Sequence, residues 1–229
     1  MLVYEYSEAR WLPVAKRRKV GNMLALALLA LLAPGQPMHP YEMASVLRRT
    51  GKERNMKIKW GSLYTVVQNL EKHGFIEATG SNREGRRPER TVYAITDAGR
   101  AEIREWVHEL VAEPEPELMR FEAALSVLGV LPPDEVTPLL EQRLRALDEG
   151  IAADRAGLEE ARREVARVFL IEGEYALAMR EAEAAWVRSL LKEIGEGTLS
   201  GLAEWREYHA TGGTPPGWTE LLEEVRTTT

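Results

Sequence analysis

The segment Gly61-Ser62-Leu63-Tyr64-Thr65-Val66-Val67-Gln68-Asn69-Leu70-Glu71-Lys72-His73-Gly74 places Leu63, Val66, Val67 and Leu70 at i, i+3, i+4 and i+7. That spacing predicts a helix over residues 61–73 with one buried stripe, closed by Gly74 as its left-handed terminator. At about 100° per residue, the side opposite the stripe carries Gly61, Thr65, Gln68 and Lys72, flanked by Tyr64 and Asn69. Gln and Asn can pair bidentately with adenine, and Thr can meet a base edge or a thymine methyl. Tyr64, Ser62, Lys59 and Lys72 are of the types that hold phosphates, and Ser62 falls in the first turn, where free N–H groups and the helix dipole favour an anion. A second group lies in the loop 80–90, where Arg83, Arg86, Arg87 and Arg90 outnumber Glu84 and Glu89. Such a loop can follow a phosphate backbone or enter a narrow minor groove. Alone it reads equally well as a solvated charge run. Coupled to the helix, it points to recognition of duplex DNA.

Those side chains need a scaffold, and the flanking sequence predicts one. A first helix over residues 23–33 stops at Pro34-Gly35-Gln36-Pro37. A second runs from about Pro40 to Arg49 and ends at Thr50-Gly51, with Tyr41, Ala44 and Leu47 spaced for one face and Met43 beside them. After the third helix the pattern turns to alternation, predicting strands over residues 75–79 and 91–95. Thr96 can cap a fourth helix that carries Ile103, Trp106, Val107 and Leu110 on one side. Three helices followed by a hairpin is the order of a winged helix-turn-helix, whose third helix enters the major groove.

Glu113-Pro114-Glu115-Pro116-Glu117 cannot be a helix interior and marks a domain boundary. Beyond it the chain reads as helical throughout: Leu118, Phe121, Leu125 and Leu128, then a long helix from about Asp134, another over residues 173–194 and a shorter one over 198–209. A final turn or two carries Trp218, Leu221, Leu222 and Val225. Leu144, Leu147, Ile151, Asp154, Leu158, Ala161, Val165 and Val168 alternate in steps of three and four, a seam of coiled-coil type. Its partner is either residues 173–194 of the same chain or a second copy, and two-fold dimers are the usual readers of half-sites. Asp154 interrupts the seam, and fixing register, pairing with an arginine and lying at a wetted edge are all open to it. The expected organisation is an arm over residues 1–20, a winged helix-turn-helix domain over 21–112 and a helical dimerisation domain over 113–229.

The formal net charge of the 229 residues is -6, which would argue against a nucleic-acid partner. Counted in halves, residues 1–110 hold 18 Lys+Arg against 12 Asp+Glu, while residues 111–229 hold 12 against 24. The first half is therefore the one suited to an anion. The lack of cysteine excludes a disulfide framework, a thiolate nucleophile and a sulfur-based zinc site, and fits a cytoplasmic protein. His39, His73, His108 and His209 are scattered, so no metal is expected. No cofactor loop or catalytic constellation stands out, and no enzyme is expected. Lys16-Arg17-Arg18-Lys19 before the apolar run 23–33 has the look of a secretory signal, but the run is 11 residues long against the ~20 that span a bilayer, and a buried first helix is the better reading. The same basic cluster could add phosphate contacts, while Val3, Tyr4, Tyr6, Trp11 and Leu12 suit packing better than a free tail. Trp106 and Trp186 invite the idea of an aromatic effector pocket, with core or interface packing the better expectation.

Five stretches together resemble successive motifs of the PadR family of transcriptional regulators over about residues 22–112: Leu28-Leu29-Ala30-Leu31-Leu32, Met38-His39-Pro40-Tyr41-Glu42-Met43, the segment from Gly61 to Ile76, Gly85-Arg86-Arg87-Pro88, and Tyr93-Ala94-Ile95-Thr96-Asp97-Ala98-Gly99. Pro40 stands where the family usually has glycine, a departure at the helix start. Residues 169–194, with Tyr175, Glu183 and Trp186, are similar to the carboxy-terminal helical domain of longer members. The resemblance implies a mainly α homodimeric repressor that binds a double-stranded operator, sometimes relieved by a small, here apolar, effector. The alternative is a winged helix used as a protein-interaction module; a protein-docking face would more often expose apolar residues than this third helix does.

Overall fold

The computed structural model describes residue 18 and residues 20–52, 56, 58–82, 90–114, 120–212, 223 and 226–227; the side chains of residues 81, 82 and 90 lie outside that description. The chain divides into two compact units between residues 117 and 118.

In the first unit, α1 (Met23–Leu32) is capped by the Asn22 side chain, which accepts from Leu24 N–H at 2.8 Å. Leu24, Leu28, Leu29 and Leu32 are fully buried, with Ala25, Leu26 and Ala27 buried around them. A helix apolar on nearly every side must lie at the centre of its unit, as this one does. α2 (Pro40–Arg49) starts with a reciprocal cap, in which His39 Nδ1 accepts from Tyr41 N–H at 3.1 Å and the Glu42 carboxylate accepts from His39 N–H at 2.8 Å. Pro40, at the first helical position, has no N–H to satisfy. The buried face is Pro40, Met43, Ala44 and Leu47, at i, i+3, i+4 and i+7. Tyr41 lies about 100° round from Pro40 and is 64% exposed, so the sequence-based placement of Tyr41 on the inner face is corrected.

A 3-10 turn (Trp60–Ser62) leads into α3 (Leu63–Lys72), which therefore begins two residues later than its periodicity predicts. Gly74 takes φ +72° as α3 ends, and Phe75 N–H donates to Leu70 C=O at 2.9 Å. β1 (Ile76–Asn82) and β2 (Arg90–Ile95) pair antiparallel, with Ile76 opposite Ile95 and Gly80 opposite Val92. The hairpin extends farther than residues 75–79 suggested. A bulge between Ala78 and Gly80, with Gly80 at φ +147°, absorbs Thr79 and lets pairing resume through Asn82. Met38 and Tyr93 exchange two backbone hydrogen bonds of 3.0 Å, which tie the approach to α2 onto the hairpin.

Thr96 caps α4 (Asp97–Ala112) by accepting from Gly99 N–H at 3.0 Å, while its hydroxyl donates to Gly74 C=O at 2.6 Å. A β-carbon on Gly99 would lie 2.0 Å from the Phe75 carbonyl oxygen, so glycine is required where helix and strand meet. Ile103 and Trp106 are buried, whereas Val107 and Leu110 are exposed. The inner stripe of α4 is narrower than its sequence suggests.

The second unit begins with α5 (Arg120–Ser126) and a 3-10 turn (Leu128–Val130). α6 (Pro133–Ala161) and α7 (Ile171–Glu196) then form a long hairpin joined through the 3-10 turn Arg167–Phe169. Its core is Val136, Leu140, Val187, Ile194 and Leu202, the last from α8 (Leu202–Thr211). α8 starts four residues later than expected, because Gly197 and Gly201 both take positive φ and turn the chain between them. Trp205 Nε1 donates to Leu131 C=O at 2.9 Å and fastens α8 to the start of α6.

The seam of α6 faces α7 of the same chain. Ile151 is buried and Leu144, Leu147, Asp154, Leu158 and Ala161 are half-buried; Leu158 reaches to within 3.1 Å of where a β-carbon on Gly173 would stand. Asp154 pairs with Arg180. The helix ends at Ala161, so Val165 and Val168 fall in the reversal, exposed, and do not continue the seam. Outer pairs fix the register: Asp148 with Arg188 at 2.7 Å, Arg155 with Glu181 at 2.6 Å and Arg162 with Glu174 at 3.2 Å. Each step moves seven residues forward on α6 and seven back on α7. A slip of one heptad would set Asp148 against Glu181, or Arg155 against Arg188, and like charges resist it.

Candidate nucleic-acid interface

Leu63, Val66, Val67 and Leu70 bury one side of α3 against α1, α2 and β1, and leave its rotation no freedom. The opposite side presents Tyr64, 59% exposed, with Thr65, Gln68, Asn69 and Lys72 also exposed, and Lys59 exposed just before the helix. These six predicted residues share one solvent-facing side of the unit. Lys72 sits in the last turn, where a cation complements the helix dipole. Ser62 is placed differently. It is half-buried, and its hydroxyl donates to Lys59 C=O at 2.8 Å. It makes no side-chain cap to α3.

The corner between α2 and α3 holds a contact that the periodicity of the sequence does not signal. The Arg48 guanidinium, from the last turn of α2, lies 4.3 Å from the centroid of the Trp60 ring, in the turn that opens α3. Two residues twelve apart across a loop leave no pattern by which this stack could be foreseen.

The hairpin projects from the same unit as α3. Arg83, Arg86 and Arg87 lie outside the described residues; Arg90 opens β2 opposite Asn82.

Arg18 has a different role from the one its basic neighbours suggest. Its side chain is 5% exposed, pairs with Glu102 at 2.8 Å and with Glu109, and lies over Trp106 at 5.2 Å. Burial works to lower its pKa, but hydrogen bonds and charge from the two carboxylates outweigh that and hold it above the ordinary arginine value. Arg18 therefore fastens the chain before α1 to α4 and is not available to phosphate. Lys16, Arg17 and Lys19 lie outside the described residues, as do Trp11 and Trp218.

Among the described residues no group of three or more His, Asp or Glu could hold a metal ion, and no helix is long and apolar enough to cross a membrane. Trp106 is 4% exposed and is core. Trp186 is 48% exposed and meets Phe121 edge-on, with centroids 6.1 Å apart. Arg143 covers Phe121 at 3.6 Å and pairs with Glu183. A half-open cleft of about 320 Å³ between α6 and α7 is lined by Ile151, Ala152 and Ala184, but Asp148–Arg188 and Arg155–Glu181 rim it, so its mouth is polar.

Helix-turn-helix corner, hairpin and an α3 presenting polar and cationic groups outward define the first unit as a winged helix-turn-helix domain of a mainly α protein. Residues 28–105, about a third of the chain, match the Transcriptional regulator PadR-like family, which is one of regulators and not of enzymes. No curated protein sequence matches the chain. Among solved structures, Bacillus subtilis PadR in complex with operator DNA is similar at TM-score 0.60 and 20% identity, covering 75% of this chain and 98% of that one. The same protein is known in complex with p-coumaric acid. The Vibrio cholerae virulence activator AphA is similar at TM-score 0.55 and 16% identity, over 76% of this chain and 98% of that one. A PadR-like regulator from Bacillus cereus, BC1756, follows at TM-score 0.53 and 19% identity, over 74% and 94%. At these identities the likeness speaks for the fold, including the helices beyond the winged domain.

Proposed function

We propose that the protein is a homodimeric transcriptional repressor that binds a double-stranded operator through α3 and the hairpin. The observation that carries this reading is the two-sidedness of α3: one stripe is wholly buried, and Tyr64, Thr65, Gln68 and Asn69 are held outward together with Lys59 and Lys72. Thr65, Gln68 and Asn69 read base edges, Tyr64 positions them, and Lys59, Lys72 and the N–H groups around Ser62 hold phosphates. Arg83, Arg86, Arg87 and Arg90 serve the wing. The operator complex of the similarly folded Bacillus subtilis PadR supports operator DNA as the partner.

Dimerisation belongs to the second unit. Leu144, Leu147, Ile151 and Leu158 are the inner seam that stiffens the α6–α7 hairpin, and a second copy meets the apolar groups the hairpin leaves outside. These are Val165, Val168, Phe169 and Ile171 near its tip, and Tyr175, Met179 and Trp186 along α7. Ile171, Tyr175 and Met179, at i, i+4 and i+8 of α7, are all exposed, and a contiguous apolar stripe of this kind suits a protein contact. A small apolar effector acts on this unit; the p-coumaric acid complex of the Bacillus protein and the exposed Trp186 edge against Phe121 favour that part of the reading.

The test is binding of the full chain to a duplex of its own upstream region. Gln68→Ala is expected to cost about 1–3 kcal/mol on that duplex and little on an unrelated one. A loss equal on both duplexes, or none, contradicts base reading by α3. A promoter–reporter fusion tests the sign: repression is expected, and activation overturns that part.

A further inference from the structure

We infer that Arg48 is a phosphate-contacting residue of the DNA interface and that Trp60 is the residue that positions it. The inference deepens the reading above and rests on α3 meeting duplex DNA.

Several arginines elsewhere in the described residues are tied to acids, among them Arg18 to Glu102, Arg143 to Glu183, Arg155 to Glu181, Arg180 to Asp154 and Arg188 to Asp148. Arg48 is not. It is exposed, no carboxylate pairs with it among the described residues, and its ordered contact is the face of an indole 4.3 Å away. A guanidinium held by its face keeps the N–H donors around its edge, which is the geometry that takes a phosphate bidentately. A long side chain normally loses about 2 kcal/mol of rotamer freedom when it is fixed. The indole restricts Arg48 before any partner arrives, so less is lost on binding.

Its place supports the same partner. Trp60 opens the turn that continues through Gly61 and Ser62 into α3, so the stack sets the cation beside the first turn of α3, with Lys59 and Tyr64 adjacent in sequence. Tyr41, Ser45 and Arg48 stand at i, i+4 and i+7, and all three are exposed on one side of α2. A backbone strand passing the start of α3 would meet two exposed helix faces, with Arg48 at their junction. Phosphate contacts of this kind fix register without reading sequence.

The experiment is a salt titration of duplex binding by the full chain, using fluorescence anisotropy on its own upstream duplex and on an unrelated duplex of equal length. Arg48→Ala is expected to weaken both by about tenfold near physiological salt, and to make the slope of log K against log salt shallower by about 0.9, the share of one phosphate. Arg48→Lys should keep the slope and lose a few-fold, since a point charge cannot fork. Trp60→Phe should retain most of the binding. Trp60→Leu should approach Arg48→Ala, and the double variant should be no worse than Arg48→Ala, because the two residues act as one unit. Melting curves of the variants separate misfolding from lost contact. Unchanged affinity and slope for Arg48→Ala, alongside lost operator preference for Gln68→Ala, overturns this inference and leaves the DNA reading standing. A lower affinity at unchanged slope overturns the phosphate contact. Wild-type protein without salt-dependent binding overturns the DNA reading itself.

Discussion

The two units handle the same ingredients in opposite ways. In the first, apolar side chains are gathered inward around α1, while the outward side of α3 is polar and cationic. In the second, the charges answer one another across α6 and α7 in seven-residue steps, and large apolar groups such as Phe169, Tyr175 and Trp186 are left outside. What each unit leaves unanswered is the ground for the partners proposed above: an anion for the first, an apolar protein surface for the second. The net charge of -6 averages over that division and hides it.

The strongest way to break the first unit alone is Gly99→Ala, since the added carbon would sit 2.0 Å from a backbone oxygen. A loss of more than about 4 kcal/mol is expected, read by urea denaturation, with the helical signal of the second unit retained. Paired truncations sharpen the separation. Leu70→Ala and Leu140→Ala each remove a buried side chain from a different core, and each should cost about 2–5 kcal/mol in its own unit. If Leu140→Ala destabilises the winged domain equally, the two units do not fold as separate bodies. Trp186→Glu places a charge on the proposed apolar contact, and sedimentation velocity at micromolar concentration should shift from dimer to monomer; an unmoved dimer removes that face from the account.

The smallest expected effect concerns Glu174. Hydrogen bonds from Arg167 and then Arg162, with their charges, hold its pKa below the ordinary carboxylate value. A depressed folded pKa contributes stability that is present above the unfolded value and is lost as pH falls through the folded one. Glu174→Gln should therefore lower the second unit's stability slightly at neutral pH, leave it unchanged in acid below the folded pKa, and so flatten the acid limb of its stability curve. Because both arginines are exposed, the change is expected to be slight.

Much of the fold is legible in the sequence where local chemistry decides it. The four-residue apolar sets, the Thr96 cap, Gly74 and the prolines place α2, α3 and the start of α4 within two residues. The errors have a common cause. Periodicity gives the spacing of a buried stripe but not which of two adjacent lines turns inward. Tyr41 and Pro40 differ by one residue, and only the packed core selects Pro40. Val107 and Leu110 continue the stripe of α4 in sequence, yet the core is already filled by Ile103 and Trp106. Val165 and Val168 continue the α6 seam on paper, but the chain has reversed. Pairings that depend on tertiary register, such as Arg18 on Glu102 and Arg48 on Trp60, have no local signature. Of the candidate interface, the exposed face of α3 was open to sequence reasoning and the corner of Arg48 and Trp60 was not.

Hydroxyl-radical footprinting of the full chain on its own upstream DNA requires both units to do their proposed work at once. A two-fold dimer on its operator should give two protected patches related by a two-fold axis, their centres one helical turn of ~10 bp or a multiple apart. A single isolated patch, or no protection at salt concentrations where wing and helix contacts should hold, would contradict this reading.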